Sequence, residues 1–176
     1  MKASVFIATS LDGFIARENG GIDWLPENPE PHGYDEFIAS VDAIVIGRNT
    51  FETVLGFGGW AYGKKPVVVL SSRASELKAP DGANCDFMSG DPRDIMTALE
   101  QRGIKHIYVD GGITIQRFLE AGLIQRLILT RIPVLLGSGI PLFGPLSHDV
   151  LLAHVATKSF GGGLVQSEYT IGELHS

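Results

Sequence analysis

Apolar residues arrive in short bursts, and their spacing changes character from one end of the chain to the other. Residues 3–8 form an apolar run of strand length, followed by a polar loop over 9–31 that closes on Pro26, Pro29 and Pro31. Tyr34, Phe37, Ile38 and Val41 recur at i, i+3, i+4 and i+7, which predicts a helix over about 32–40. A short apolar strand over 43–46 ends at Gly47, and Thr50, Phe51, Val54 and Leu55 give a second helical stripe. A glycine-rich loop over 56–63 leads to a β-branched run over 66–70, of the kind found in strands buried on both faces. Residues 85–88 read as a further short strand. Asp91-Pro92-Arg93-Asp94 then supplies a cap, a first-turn proline and an acid, so a helix starts there and runs until Gly103.

The alternation continues with a strand over 104–109, a turn at Asp110-Gly111-Gly112, a helix over 113–121 and a strand over 123–133. After a loop over 134–148 the pattern changes. Segments 149–158 and 164–171 flank Ser159-Phe160-Gly161-Gly162-Gly163, and Val165, Tyr169 and Ile171 alternate with polar neighbours, as in a hairpin with one wetter face. Strands and helices that alternate and then give way to a hairpin predict a single α/β domain over 1–176. Its sheet is mostly parallel, sandwiched between helices, with an antiparallel end. The strand order stays open.

Composition narrows the function classes. Lys and Arg number 14 against 20 Asp and Glu, a net charge of −6, which argues against a nucleic-acid partner. Cys85 is alone, so no intramolecular disulfide is expected, and the histidines at 32, 106, 148, 154 and 175 lack zinc-site spacing, so no metal is expected. No apolar stretch is long enough to span a membrane, and a cytoplasmic protein is the expectation. The 22 glycines cluster where elements meet, where they permit unusual dihedrals or the close approach of a ligand.

Four places carry candidate chemistry. Gly47-Arg48-Asn49-Thr50 joins a strand to a helix, where free N–H groups and a guanidinium suit a phosphate; Arg48 could equally be a solvated surface arginine. Leu70-Ser71-Ser72-Arg73 follows another strand end, although serine-rich turns are common. Asp110-Gly111-Gly112-Ile113-Thr114 offers paired glycines before a helix, suited to a diphosphate or to plain punctuation; it is not a GxGxxG fingerprint. Ser10-Leu11-Asp12-Gly13-Phe14, with Trp24 beyond, could close over a flat ligand or pack its loop on the core.

Together these motifs resemble the dihydrofolate-reductase superfamily and, more narrowly, its riboflavin-biosynthesis reductase branch. The segment from Val45 to Glu52 is similar to the superfamily's Gly-Arg-x-Thr turn and helix, and the segment from Lys65 to Ser72 to its cofactor strand and serine pair. Asp110-Gly111-Gly112 resembles its Gly-Gly turn, which in the family usually holds a cis peptide. The runs from Gly122 to Leu127 and from Pro133 to Phe143 resemble the riboflavin branch in particular, as does Ser10-Leu11-Asp12-Gly13.

The resemblance implies a dihydrofolate-reductase-like three-layer α/β/α sandwich and NADPH as cofactor. Ala8, Gly47, Arg48, Asn49, Thr50, Leu70, Ser71, Ser72, Arg73, Asp110, Gly111, Gly112, Ile113 and Thr114 would bind that cofactor, with the serines and Arg73 near the adenosine 2′-phosphate. A flat heterocycle would be enclosed by Asp12, Trp24, Tyr34, Phe37, Gly137 and Gly139. Asp12, Asp35 and Glu36 are the candidates for proton handling, and Lys64, Lys65 and Arg131 for a substrate phosphate. The folate branch would need an acid near Gly33, where none stands, so the implied reaction is that of a 5-amino-6-ribosylaminouracil (phosphate) reductase. The alternatives are a dihydrofolate or dihydropteridine reductase and a non-catalytic NADPH-binding module. The apolar final strands imply a homodimer that covers a sheet edge placed at 164–171.

Overall fold

The computed structural model describes residues 1–172. Its strands are β1 (Lys2–Ser10), β2 (Phe14–Ala16), β3 (Ala43–Gly47), β4 (Val67–Leu70), β5 (Cys85–Met88), β6 (His106–Asp110), β7 (Arg126–Ile132), β8 (Ile140–Pro141), β9 (Leu152–Phe160) and β10 (Leu164–Ile171). The helices are α1 (Tyr34–Ser40), α2 (Arg48–Leu55), α3 (Pro92–Gln101) and α4 (Gly112–Glu120). Eight strands form one sheet in the order β5-β4-β3-β6-β1-β7-β10-β9, and β2 pairs with β8 in a separate two-stranded ribbon. Pairing is parallel from β5 to β7 and antiparallel between β7, β10 and β9.

Alternation along the central strands explains the three layers. In β3, Ala43 and Val45 point to a core shared with Ile95, Leu99, Ile115 and Phe118 of α3 and α4. Ile44 and Ile46 point the other way, to Phe37 of α1 and Phe51 of α2. Period two with both faces apolar is the pattern of a strand covered by helices on each side.

Four expectations are corrected. The helix over 32–40 begins at Tyr34, because Gly33 before it is left-handed, at φ 95°. The polar loop over 9–31 contains β2, which short-period patterning could not flag because its partner β8 lies more than a hundred residues away. Segment 164–171 is not the sheet edge: β10 lies between β7 and β9, and β9 is the edge. The turn at Asp110-Gly111-Gly112 contains no cis peptide; every peptide bond among the described residues is trans.

The chain's path also locates a ligand crevice. From β1 it crosses to β3, proceeds outward through β4 and β5, and returns to insert β6 between β3 and β1 before continuing to β7. In an open α/β sheet, the strand ends at such a reversal are where ligands bind.

Candidate functional site

A cleft of about 610 Å³ opens at the carboxyl ends of β1, β3, β4 and β6. That is within the usual range for small-molecule sites. Its floor is built from two strand-to-helix junctions packed against each other. At the first, Gly47 ends β3 and α2 begins; at the second, Gly111 follows β6 and α4 begins. A Cβ on Gly47 would lie 2.7 Å from the Thr114 hydroxyl, and one on Gly111 would lie 2.6 Å from the Thr50 hydroxyl. Each glycine therefore makes room for the threonine of the opposite junction, which draws the two helix starts together. Gly111 also has φ 96°, a conformation side chains disfavour.

Neither helix start is closed by its own chain. Gly47 and Gly111 are the N-cap residues of α2 and α4, and neither helix has a side-chain cap. By contrast α3 is capped by Asp91, whose carboxylate accepts from the Arg93 N–H at 2.9 Å. Uncapped first-turn N–H groups and the positive ends of two helix dipoles thus converge on one cleft, with the Thr50 and Thr114 side chains among its lining. This donor set fits a diphosphate.

Among the described residues one acid lines the cleft. Asp110 is half-buried at the end of β6, and burial pushes its carboxyl up to about 6, against the partial relief of the Gly111 N–H. The Gly111 N–H donates to Oδ1 at 2.9 Å, which leaves Oδ2 for a proton or a ligand. Tyr34, Tyr62 and Tyr108 also line the cleft. Burial, with Asp110 nearby, raises the pKa of each, so all three hydroxyls stay protonated. The Tyr108 hydroxyl is already committed, donating to the Phe6 carbonyl at 3.0 Å.

The ribbon of β2 and β8 walls the cleft with Ile15, Ala16 and Ile140. Asp12 anchors it from below. Its carboxylate accepts from the Ser10 hydroxyl at 2.6 Å and from the N–H groups of Leu136 and Gly137 at 3.1 and 2.8 Å, tying the first loop to the late one. The Ser10 hydroxyl and those two N–H groups hold its carboxyl below the usual range. On the other side the Gln116 amide donates to the carbonyls of Pro141 and Leu142 at 3.2 and 3.3 Å.

Of the residues expected at the site, Ala8, Gly47, Arg48, Asn49, Thr50, Leu70, Asp110, Gly111, Gly112, Ile113, Thr114 and Tyr34 line this cleft. Others do not. Phe37 is buried against Phe6 and Tyr108 on the inner side of α1. Asp35 and Glu36 are exposed on α1 and lie outside the cleft lining. Asp12, Gly137 and Gly139 belong to the loop anchor, and a Cβ on Gly139 would collide with the Ala16 carbonyl. Trp24 is outside the lining, although its neighbours Ile22 and Leu25 are in it. Ser71, Ser72 and Arg73 lie just beyond Leu70 at the rim, where the Ser71 hydroxyl accepts from the Arg73 N–H at 3.1 Å. The Lys65 ammonium is spent on the Val41 carbonyl at 2.7 Å. Sequence reasoning missed Tyr62, Tyr108 and Arg117. Tyr108 was legible as the residue two before Asp110 on the same strand face, and Arg117 as the residue one turn after Ile113.

Known proteins are similar to this chain in sequence and fold. A family model described as the RibD C-terminal domain matches residues 2–166. YwjB of Bacillus subtilis (strain 168) is 35% identical over 164 residues, covering 91% of this chain and 92% of its own. A solved protein from Shewanella sp. PV-4, assigned to riboflavin biosynthesis, is 38% identical and superimposes with a TM-score of 0.89 over 98% of this chain and 100% of its own. A dihydrofolate reductase from Enterococcus faecalis, solved in complex with NADP(H), is 18% identical but shares the fold, with a TM-score of 0.70 over 98% and 97% of the two chains.

Proposed function

The chain belongs to the RibD C-terminal domain family, and from that premise we propose that it is an NADPH-dependent reductase of a small heterocycle, of the 5-amino-6-ribosylaminouracil (phosphate) reductase type. The observation that carries this reading is the position of Asp110, a carboxyl raised to about 6 beside two uncapped helix starts in one cleft. A bound NADPH supplies a hydride. The chain's own part is to hold the diphosphate at the first-turn N–H groups of α2 and α4 and the hydroxyls of Thr50 and Thr114, and to manage the accompanying proton.

Opening a ribosylamine to a ribitylamine adds a hydride to the sugar C1′ and a proton to the ring oxygen as the C1′–O bond breaks. Asp110 can carry that proton on Oδ2 near neutral pH, since its pKa is close to the working range of a general acid. Ile15, Ile22, Leu25 and Ile140 around the cleft limit the entry of water. The acid comes from the end of β6 rather than from the start of α1, where Gly33 is the N-cap residue, and this favours the riboflavin-type reaction over the folate type. The direct test is cofactor oxidation, followed at the reduced nicotinamide absorbance, with the ribosylaminopyrimidine and with dihydrofolate. Turnover of the pyrimidine alone is the expected result, and turnover of dihydrofolate alone would overturn it.

The reading includes a cytoplasmic homodimer. β9 forms a nine-residue sheet edge, and Leu151, Leu152, Val155 and Val165 are exposed on and beside it. A long apolar edge invites pairing, and a two-fold interface is the commonest way to cover one. Sedimentation equilibrium should give twice 18.9 kDa, and a monomer throughout would remove the dimer from the account.

A further inference from the structure

Arg48 and Arg117 line the cleft and Arg73 follows β4 at its rim, and the three differ in what already satisfies them. Arg48, at the start of α2, gives its Nε to the Glu52 carboxylate at 2.8 Å, one turn along the same helix. Arg73 lies 3.7 Å from Glu76. Each presents a ligand with a local ion pair rather than a net charge. Arg117 has no carboxylate within ion-pair distance among the described residues. One guanidinium nitrogen donates to the Gly90 carbonyl at 3.1 Å, a neutral acceptor that orients the group and leaves its charge intact. Arg117 also lines the cleft, on the exposed stripe of α4 one turn after Ile113.

Its hydrogen bond places Arg117 at a particular corner. Gly90 lies two residues beyond Met88, and the Met88 carbonyl accepts from the Ser71 N–H at 3.0 Å. The guanidinium therefore meets the loop that leaves β5 beside the Ser71–Ser72 turn that leaves β4. A net charge of −6 makes the chain's overall field unfavourable to a dianion, so a cleft-lining arginine without an acid partner matters most. A guanidinium held by one carbonyl, with its remaining donors free, suits the oxygens of a phosphomonoester.

We infer that Arg117 is the residue that selects for the adenosine 2′-phosphate, and that Arg48 and Arg73 contribute little to that choice. The inference rests on the nicotinamide-nucleotide reading above and assigns its cofactor specificity to one side chain. The Ser71 and Ser72 hydroxyls complete the phosphate pocket at the rim.

The test compares calorimetric affinities of NADPH, NADH, 2′-AMP and 5′-AMP for the unaltered protein and for Arg117→Gln, Arg117→Lys and Arg73→Gln, with thermal unfolding as the control. Arg117→Gln should weaken NADPH by at least about tenfold, change NADH by less than about twofold, and abolish the preference for 2′-AMP over 5′-AMP. Arg117→Lys should keep part of that preference, and Arg73→Gln nearly all of it. Equal weakening of NADPH and NADH by Arg117→Gln would place Arg117 on the shared diphosphate and overturn the inference, as would no change in either. If the unaltered protein bound neither dinucleotide, the cofactor reading itself would fail and the inference with it.

Discussion

The junctions that lead into α3 and α4 solve the same geometric problem in opposite ways. Both follow a parallel strand of the same sheet, and both place an aspartate at the turn. Asp91 turns its carboxylate onto the Arg93 N–H, Pro92 occupies the first helical position, and the start of α3 is closed. Asp110 sits one residue before the N-cap Gly111, bonds only the Gly111 N–H, and leaves the start of α4 open to the cleft. A closed helix start contributes stability, whereas an open start beside a half-buried acid gives stability up and gains the capacity to bind an anion. The start of α2 is open in the same manner and is packed against that of α4 through Gly47, Thr50, Gly111 and Thr114.

Substitutions that exchange these roles should separate function from stability, and the largest effect is expected at Asp110. Asp110→Asn should lower turnover by about a hundredfold or more while NADPH still binds, because the proton carrier is lost and the donor set is not. It should also raise stability in a pH-dependent way. Burial pushes the folded carboxyl up to about 6, above the usual aspartate value of 3.8, so ionising it costs more in the folded state. Its contribution is therefore fully present below about pH 4, is lost between about pH 4 and 6, and leaves a penalty above that of no more than about 3 kcal/mol. The Asn variant should unfold at a higher temperature than the parent at pH 7 and show no such gain at pH 4. Equal unfolding temperatures at pH 7 would contradict the assigned burial.

Gly111→Ala comes next. Its Cβ meets the Thr50 hydroxyl at 2.6 Å and its backbone is at φ 96°, so a loss of about 1–3 kcal/mol should accompany a loss of nucleotide binding. Gly112→Ala is no cleaner, since its Cβ would meet the Pro141 carbonyl at 3.1 Å and Ile15 at 3.2 Å rather than open space. Asp91→Ala is the matched control at the closed junction. It should cost about 1 kcal/mol by chemical denaturation and leave NADPH affinity within about twofold, because α3 takes no part in the cleft. The smallest expected effect is at α2, where Glu52→Gln frees Arg48 from its ion pair and should tighten both NADPH and NADH by about two- to threefold at low salt. An unchanged affinity there would mean that Arg48 does not reach the nucleotide.

Much of this comparison was legible in the sequence. Asp91-Pro92 announces a closed start, and Gly47 after its apolar run and the Gly111-Gly112 pair after Asp110 mark the other two strand-to-helix turns. The layers followed from period-two and helical spacing, and the family pattern supplied the dihydrofolate-reductase-like fold. Physical reasons account for the rest. The β2–β8 ribbon depends on two segments far apart in sequence, and Asp12 looked like cleft chemistry because nothing local shows that its carboxylate is taken by the N–H groups of Leu136 and Gly137. Phe37 fits both a core and a substrate wall by spacing, and only the positions of Phe6 and Tyr108 decide for the core. Asp110 was legible as a turn residue. Its raised pKa comes from burial that the strand order creates, and the strand order could not be read from the sequence.

The central claim is that the open junctions of α2 and α4 form one nucleotide site, and an NADPH titration of the unaltered protein alongside Asp91→Ala and Gly111→Ala tests it most directly. The account predicts saturable binding at one site per chain, at least about tenfold tighter than NADH, kept in Asp91→Ala and lost in Gly111→Ala. No saturable binding to the unaltered protein, or undiminished binding to folded Gly111→Ala, would contradict it.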